Sequence, residues 1–281
     1  MDFDTKPASD YPLPDLVQYL NRGFENYFIP IQFNVQQFLT MLRKDGIDLT
    51  VSRILLADGV PSGIALIARR GWTSRLAAMG ISTDMRGKGA GSRFMASLIQ
   101  EARARSEHEM VLEVIEQNLA AVALYKRSGF DTIRRLVGFT RRDAQEVGTG
   151  SLEEIDLREA AGLIARFGLP DLPWQLSAET IAQMNPPARA YKSGRAYAVI
   201  SNPEAENVVI WSILVEPGAR GYGLSTSLLG DVMAAHAGRN WHVPAIFPEE
   251  LGKCFERAGF EREELSQWQM RLALSPGQRD Q

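Results

Sequence analysis

The stretch Arg86-Gly87-Lys88-Gly89-Ala90-Gly91 follows an apolar run, residues 76–81, and precedes the pattern Phe94, Met95, Leu98, Ile99, Ala102. In that order these read as strand, glycine turn and helix. Glycines let the chain adopt φ > 0 and let a ligand approach the backbone closely. The helix start adds unpaired N–H groups and about half a positive charge. Arg86 and Lys88 add mobile positive charge. The layout reads as a phosphate cradle. Other glycine loops compete with it. No stretch has the Walker pattern Gly-x-x-x-x-Gly-Lys-Ser/Thr. The dinucleotide fingerprint Gly-x-Gly-x-x-Gly is met at Gly87 and Gly89 but has Ser92 in its third place. Glu113 and Glu116 lie near the distance of its acidic residue, so spacing alone leaves it open. A turn that merely starts a helix is a further reading, and the hexapeptide does not decide among them.

Composition narrows the field. The chain has 281 residues, 45% hydrophobic and 23% charged, which is enough apolar mass for a real core and points to two domains. A formal net charge of −3 carries no electrostatic footprint for nucleic acid. The pairs Arg134-Arg135 and Arg141-Arg142 read as solvated faces. The single cysteine, Cys254, excludes an internal disulfide, fits a reducing compartment and reads as a small packing residue. His108, His236 and His242 do not make metal-ligand spacing, so no metal is expected. Residues 1–5 lack the pattern of a signal peptide, and no apolar run approaches a membrane span. A cytoplasmic protein is expected.

Along the chain, helical spacing runs over residues 12–28, and Asn34-Val35-Gln36-Gln37 reads as a capping box opening a helix to Leu42. Residues 51–57 and 64–68 read as a hairpin about Asp58-Gly59. After the glycine turn a helix runs to about Arg105, a strand covers 110–115, and a helix covers 118–128 with Gly129 as its stop. Residues 131–140 read as a closing strand. The polar stretch 141–151 is the expected linker. Beyond it, 152–167 reads as a helix, 177–184 as a short helix, and 196–200 and 208–215 as strands. The tail after Ser275 is polar and expected to be disordered.

A second glycine turn, Arg220-Gly221-Tyr222-Gly223-Leu224-Ser225, echoes the first at an offset of 134 residues. That offset carries Gly87 to Gly221 and Gly89 to Gly223. It also carries Phe94, Met95, Leu98 and Ile99 to Leu228, Leu229, Val232 and Met233. Upstream it carries Leu76 to Ile210 and Ile81 to Val215. Further on, Ser128-Gly129-Phe130 recurs as Ala258-Gly259-Phe260 at an offset of 130. A chance turn keeps neither the glycine spacing nor the helical stripe. The chain therefore holds two copies of one α/β domain, with boundaries expected at 1–145 and 151–275.

These residues resemble the GNAT family of acetyl-CoA-dependent N-acyltransferases. Its motif Gln/Arg-x-x-Gly-x-Gly/Ala is matched by Arg86, Gly89 and Gly91, after the strand Met79-Gly80-Ile81-Ser82-Thr83. The family often has proline where this chain has Thr83. A second block, Leu112-Glu113-Val114 with Asn118, Ala121, Leu124, Tyr125, Gly129 and Phe130, is similar to the ribosomal-protein alanine acetyltransferases. The resemblance covers about residues 50–140, and the second copy matches more loosely. It implies an α/β (α+β) fold of two tandem GNAT-like domains, each a mixed, splayed sheet flanked by helices.

The resemblance also implies a chemistry. Acetyl-CoA is the cosubstrate, bound through Met79, Gly80, Ile81, Arg86, Gly87, Lys88, Gly89, Ala90, Gly91 and Asn118. A primary amine on a small molecule or peptide attacks the thioester directly. Glu113 matches the general base, acting through water, and Tyr125 matches the general acid. An N–H near Ile81 would serve as the oxyanion donor. Glu113 can also be read as a strand carboxylate or ion pair, Tyr125 as a core aromatic and Asn118 as a helix cap. Phe255 stands where the second copy would have its tyrosine, so the first copy is expected to be catalytic and the second degenerate. The first two helices and their aromatics, Phe24, Tyr27, Phe28 and Phe33, are expected in the acceptor wall or the core. Neither nucleic acid nor membrane is expected as a partner, and a homodimer is compatible with the resemblance. The alternative function is a non-catalytic acyl-CoA-binding or scaffold protein.

Overall fold

A computed structural model of the chain describes residues 2–30, 32–142 and 150–274. The expected tail after Ser275 and most of the expected linker lie outside the described residues. The chain divides into two units, one of residues 1–133 with 269–281 and one of residues 134–268.

In the first unit the chain runs β1 (Phe3–Pro7), α1 (Leu13–Gly23), α2 (Val35–Asp45), β2 (Arg53–Ala57), β3 (Val60–Arg70), β4 (Thr73–Ile81), α3 (Ala90–Ala104), β5 (Glu109–Ile115) and α4 (Leu119–Arg127). Strands β1 to β4 pair antiparallel in sequence, and β4 pairs parallel with β5. On one face, Leu16 and Leu20 of α1 and Phe38 of α2 bury against Ile54, Ile64 and Leu66. On α3 the stripe Phe94, Met95, Leu98, Ile99, Ala102 is buried throughout. The capping box at Asn34 forms in both directions, with Asn34 Oδ1 accepting from the Gln37 amide at 2.9 Å and Gln37 returning the bond at 3.0 Å.

Two elements differ from expectation here. Helix α1 stops at Gly23 although helical spacing continues to Phe28. Arg86 Nη2 takes the carbonyls of Gly23 at 2.9 Å and Glu25 at 3.1 Å, and Asn26 turns to φ +58°. Strand β1 is also unexpected, because its residues are mostly polar. It is held by backbone pairing, Phe3 opposite Ala57 through Pro7 opposite Arg53.

The second unit repeats the plan: β7 (Glu153–Ile155), α5 (Leu157–Phe167), α6 (Ala178–Ala182), β8 (Arg189–Ser193), β9 (Ala196–Ile200), β10 (Asn207–Val215), α7 (Leu224–Ala235), β11 (Asn240–Pro248) and α8 (Lys253–Arg257). Two further strands, β6 (Asp131–Arg141) and β12 (Glu261–Ala273), straddle the division between units. Within the second unit β6 pairs antiparallel with β11. Within the first, the amide of Leu274, just past β12, bonds to the His108 carbonyl before β5 at 2.8 Å. The expected helix over 152–167 splits into β7 and α5, because Asp156 caps the Arg158 amide at 2.8 Å and starts the helix late. Leu228, Leu229, Val232 and Met233 of α7 are buried with Val208, Ile210, Trp241 and Val243 of the sheet.

A histidine in this unit gives a pH dependence. Tyr191 Oη lies 2.8 Å from His236 Nε2. Burial lowers the pKa of His236; Arg239 and Arg189 add to this, while Glu204 and Glu154 oppose it. The unfolded chain then binds the proton first. The stability His236 contributes is therefore present above about pH 6.5 and is lost as pH falls. The denaturation midpoint of His236→Gln should differ more from wild type at pH 7.5 than at pH 5.5.

Candidate active site

The site begins where two strands part. β4 and β5 pair only at Thr73–Glu109, Ser74–Met110 and Arg75–Val111. Beyond Arg75, β4 continues to Ile81 and β5 to Ile115 without further pairing. A bulge helps to open the gap: Ile67 faces Leu76 while Leu66 faces Ala78, so Ala77 is an extra residue on β4. The backbone of residues 76–81 on the side of the gap has no ladder partner, a row of donors and acceptors left for a ligand or solvent.

Two glycines let α1 reach this edge. A Cβ on Gly80 would stand 2.8 Å from the Gly23 Cα, and a Cβ on Gly23 would stand 2.8 Å from the Gly80 Cα. Backbone meets backbone here, and neither position has room for a side chain. Gly80→Ala should cost about 1–3 kcal/mol by overpacking, read as a lower urea midpoint with an unchanged slope.

The turn closes the end of the gap. Gly87 and Gly89 hold φ of +77° and +82°, conformations that strain any side chain. Gly89 is the N-cap of α3 and offers no side chain to its first N–H groups, which are therefore open. A Cβ on Gly91 would meet only Leu124 Cδ2 at 3.5 Å and Met79 Cε at 3.9 Å. Nothing in the protein demands glycine there. Lys88 is exposed. Arg86 corrects the expectation of mobile charge: besides the two α1-end carbonyls, its Nε donates to Ile81 O at 3.0 Å. Its side chain ties α1 to β4 and shapes the turn.

Asn118 and Tyr125 of α4 come together with Tyr27, which lies past the end of α1. Asn118 caps α4, its side chain accepting from the Ala121 amide at 3.2 Å, and it also hydrogen-bonds Tyr27. Tyr125 is buried, its ring 5.8 Å from Phe130. Burial, and then the neighbouring Tyr27, push the Tyr125 hydroxyl far above the usual tyrosine range, so it keeps its proton. Tyr27 is likewise raised by burial. The sequence marked Tyr27 only as an aromatic; its one signal was a hydroxyl between the apolar rings of Phe24 and Phe28.

Glu113 has a different partner. Arg75 Nε donates to Glu113 Oε2 at 2.8 Å, with side chains only 5% and 3% exposed. Another Arg75 nitrogen lies 3.5 Å from Asp45 at the end of α2. Glu113 Oε1 is buried and has no hydrogen-bond partner among the described residues. So Glu113 sits in a buried ion pair and keeps one oxygen uncommitted.

The second unit copies the frame and not the chemistry. β10 and β11 pair only at Asn207–Asn240, Val208–Trp241 and Val209–His242, then part. Gly221 and Gly223 hold φ of +88° and +78°. Arg220 donates to Val215 O and Phe167 O as Arg86 does to Ile81 O and Gly23 O. In this register Val209 stands for Arg75 and Pro244 for Glu113. Phe255, fully buried, stands for Tyr125.

Known proteins fit this frame. Residues 13–130 match the family model "Acetyltransferase (GNAT) family". A solved GCN5-related N-acetyltransferase from Sphaerobacter thermophilus superposes with a TM-score of 0.70 at 15% identity, covering 98% of this chain and 96% of that one. A tandem GNAT protein from the clavulanic acid biosynthesis pathway superposes with a TM-score of 0.64 at 16% identity, covering 98% and 99%. An L-methionine sulfoximine/L-methionine sulfone acetyltransferase of Pseudomonas paraeruginosa is 39% identical over 51 residues, 18% of this chain. The chain spans about 30% of the length of that relative. Residues 13–130 thus match the GNAT acetyltransferase family, and the whole chain has the tandem GNAT fold.

Proposed function

We propose that the first unit transfers an acetyl group from acetyl-CoA to a primary amine by direct attack. The observation that carries this reading is the parting of β4 and β5 beyond Arg75 and Val111, with the glycine turn at one end of the gap. An unpartnered strand edge and a row of helix-start amides suit an amide-bearing arm ending in a diphosphate. Acetyl-CoA supplies the activated acyl group. The backbone of Met79, Gly80 and Ile81 holds its arm, and the amides from Arg86 to Gly91, with Lys88, hold its phosphates. Asn118 contributes from the start of α4.

The chemistry needs three proton or charge partners. Glu113 takes the ammonium proton through its uncommitted Oε1, by way of water. An N–H near Ile81 donates to the carbonyl oxygen as charge develops there. The C–N bond forms, the C–S bond breaks, and Tyr125 gives its proton to the sulfur. Incubation with acetyl-CoA and a thiol reagent across an amine panel tests the reading. The panel opens with L-methionine sulfoximine, which the matched relative acts on by name. Release of free thiol with one amine is expected. No turnover on any amine, with coenzyme A still bound, would overturn the reading in favour of an acyl-CoA-binding scaffold.

A further inference from the structure

Glu113 and Tyr125 stand on elements that the first repeat does not complete by itself. β5 carries Glu113 and pairs with β4 at three positions only. Its other neighbour in the sheet is β12, the last strand of the second repeat. Residues 269–273 of β12 belong to the first unit. Just past them the Leu274 amide donates to the His108 carbonyl at 2.8 Å, and Arg271 lies 4.0 Å from Glu109 at the start of β5. Met270, Leu272 and Leu274 are all buried, so one face of this stretch is core.

That face reaches the helix of Tyr125. α4 has nine residues, and a helix so short takes its position from packing. The turn after it is tight: Gly129 holds φ of +94°, and the Phe130 amide donates to the Tyr125 carbonyl at 3.0 Å. A Cβ on Gly129 would stand 3.2 Å from Leu272 Cδ1, so the leucine lies directly against this turn. The exchange is reciprocal. β6, the last strand of the first repeat, pairs with β11 in the second unit. A Cβ on Gly259, the counterpart of Gly129, would stand 3.3 Å from Arg141 Nη1, and Arg141 donates to the Ala258 carbonyl beside it. Each repeat's last strand props the turn after the short helix of the other. The prop is a leucine where that helix carries Tyr125 and an arginine where it carries Phe255.

We infer that Leu272 is a positioning residue for acetyl transfer in the first unit: a side chain of the second repeat that sets the place of Tyr125. The inference rests on reading Tyr125 as the acid. It goes further in giving the second repeat, which has lost both the tyrosine and the Arg75–Glu113 pair, a part in the chemistry of the first. A proton donor works only within a fraction of an ångström of its productive place. Shortening Leu272 lets the turn, and Tyr125 with it, move into the vacated space.

The test uses the full chain. Leu272→Ala should lower kcat about tenfold, the scale of a small misplacement, with KM for acetyl-CoA little changed. In a Tyr125→Phe background the same substitution should change kcat by less than about twofold, because the group it positions is gone. Leu272→Met restores the volume and should recover most of the rate. Without substrate, the amides of Ser128, Gly129 and Phe130 should exchange with deuterium roughly tenfold faster in Leu272→Ala, while those of α3 stay as in wild type. If Leu272→Ala does not fold, Leu272→Val should give the same pattern with a smaller fall. An equal fall in both backgrounds makes Leu272 an ordinary core residue and overturns the inference, as does no fall at all; either leaves the first-unit reading standing. A Tyr125→Phe chain with unchanged kcat overturns the reading of Tyr125 as the acid, and the inference with it.

Discussion

Tyr125→Phe should lower kcat for acetyl transfer by about 10²–10⁴, the range for loss of one positioned acid, with KM for acetyl-CoA little changed. Such a split is the mark of an interaction made only in the transition state. The size is argued from two opposing facts. A thiolate with a pKa near 8.5 leaves without much help. Tyr125 is also a weaker acid than free tyrosine, because burial and Tyr27 both resist its ionisation. Both push the effect toward the lower end of the range. The same raised pKa means that kcat should not fall through tyrosine ionisation near pH 10. The fold should accept the change, since the second unit buries Phe255 completely at the matching place. Tyr27→Phe is the companion. It removes a partner of Asn118 and leaves the Tyr125 hydroxyl, so its loss should be well below that of Tyr125→Phe. A Tyr125→Phe enzyme within threefold of wild type across pH 7–10 would remove the tyrosine from the chemistry.

The frame of this protein was readable because it lies in local chemistry. Gly87 and Gly89 need φ > 0, and so do Gly221 and Gly223, so the turn survives in both copies at a fixed offset. The α3 stripe and the Asn34 capping box depend on neighbours three or four residues away, which periodicity captures. What escaped the sequence depends on distant partners. Arg86 looked like a phosphate ligand, but its guanidinium is taken by carbonyls as far away as Gly23. β1 is a polar edge strand held by backbone bonds, so it has no apolar alternation to find. Nothing local says that Glu113 meets Arg75. The two are joined by a parallel crossover through α3, and only the pairing of Arg75 with Val111 brings them side by side. The second copy does carry a retrospective signal: once registers are matched, arginine and glutamate are lost together, to Val209 and Pro244.

That paired loss sharpens the expectation for Arg75→Met. Its guanidinium and the Glu113 carboxylate are almost wholly out of water and 2.8 Å apart. Removing one partner of a buried pair leaves the other charge uncompensated and costs about 3–5 kcal/mol. For a domain of this size each kcal/mol moves Tm by roughly 2–4 °C, so a fall of about 6–20 °C should be seen by calorimetry. Replacing both partners by apolar residues is often neutral or better. Arg75→Val with Glu113→Leu should therefore recover most of the lost stability, less what Asp45 loses when its 3.5 Å contact goes. The double variant then isolates the chemistry from the fold. If Glu113 accepts the amine proton, the restored protein stays impaired, with a rate that rises with pH as more amine arrives already deprotonated. If instead it turns over like wild type, Glu113 is a structural half of an ion pair, and the base must be sought on another element of the gap.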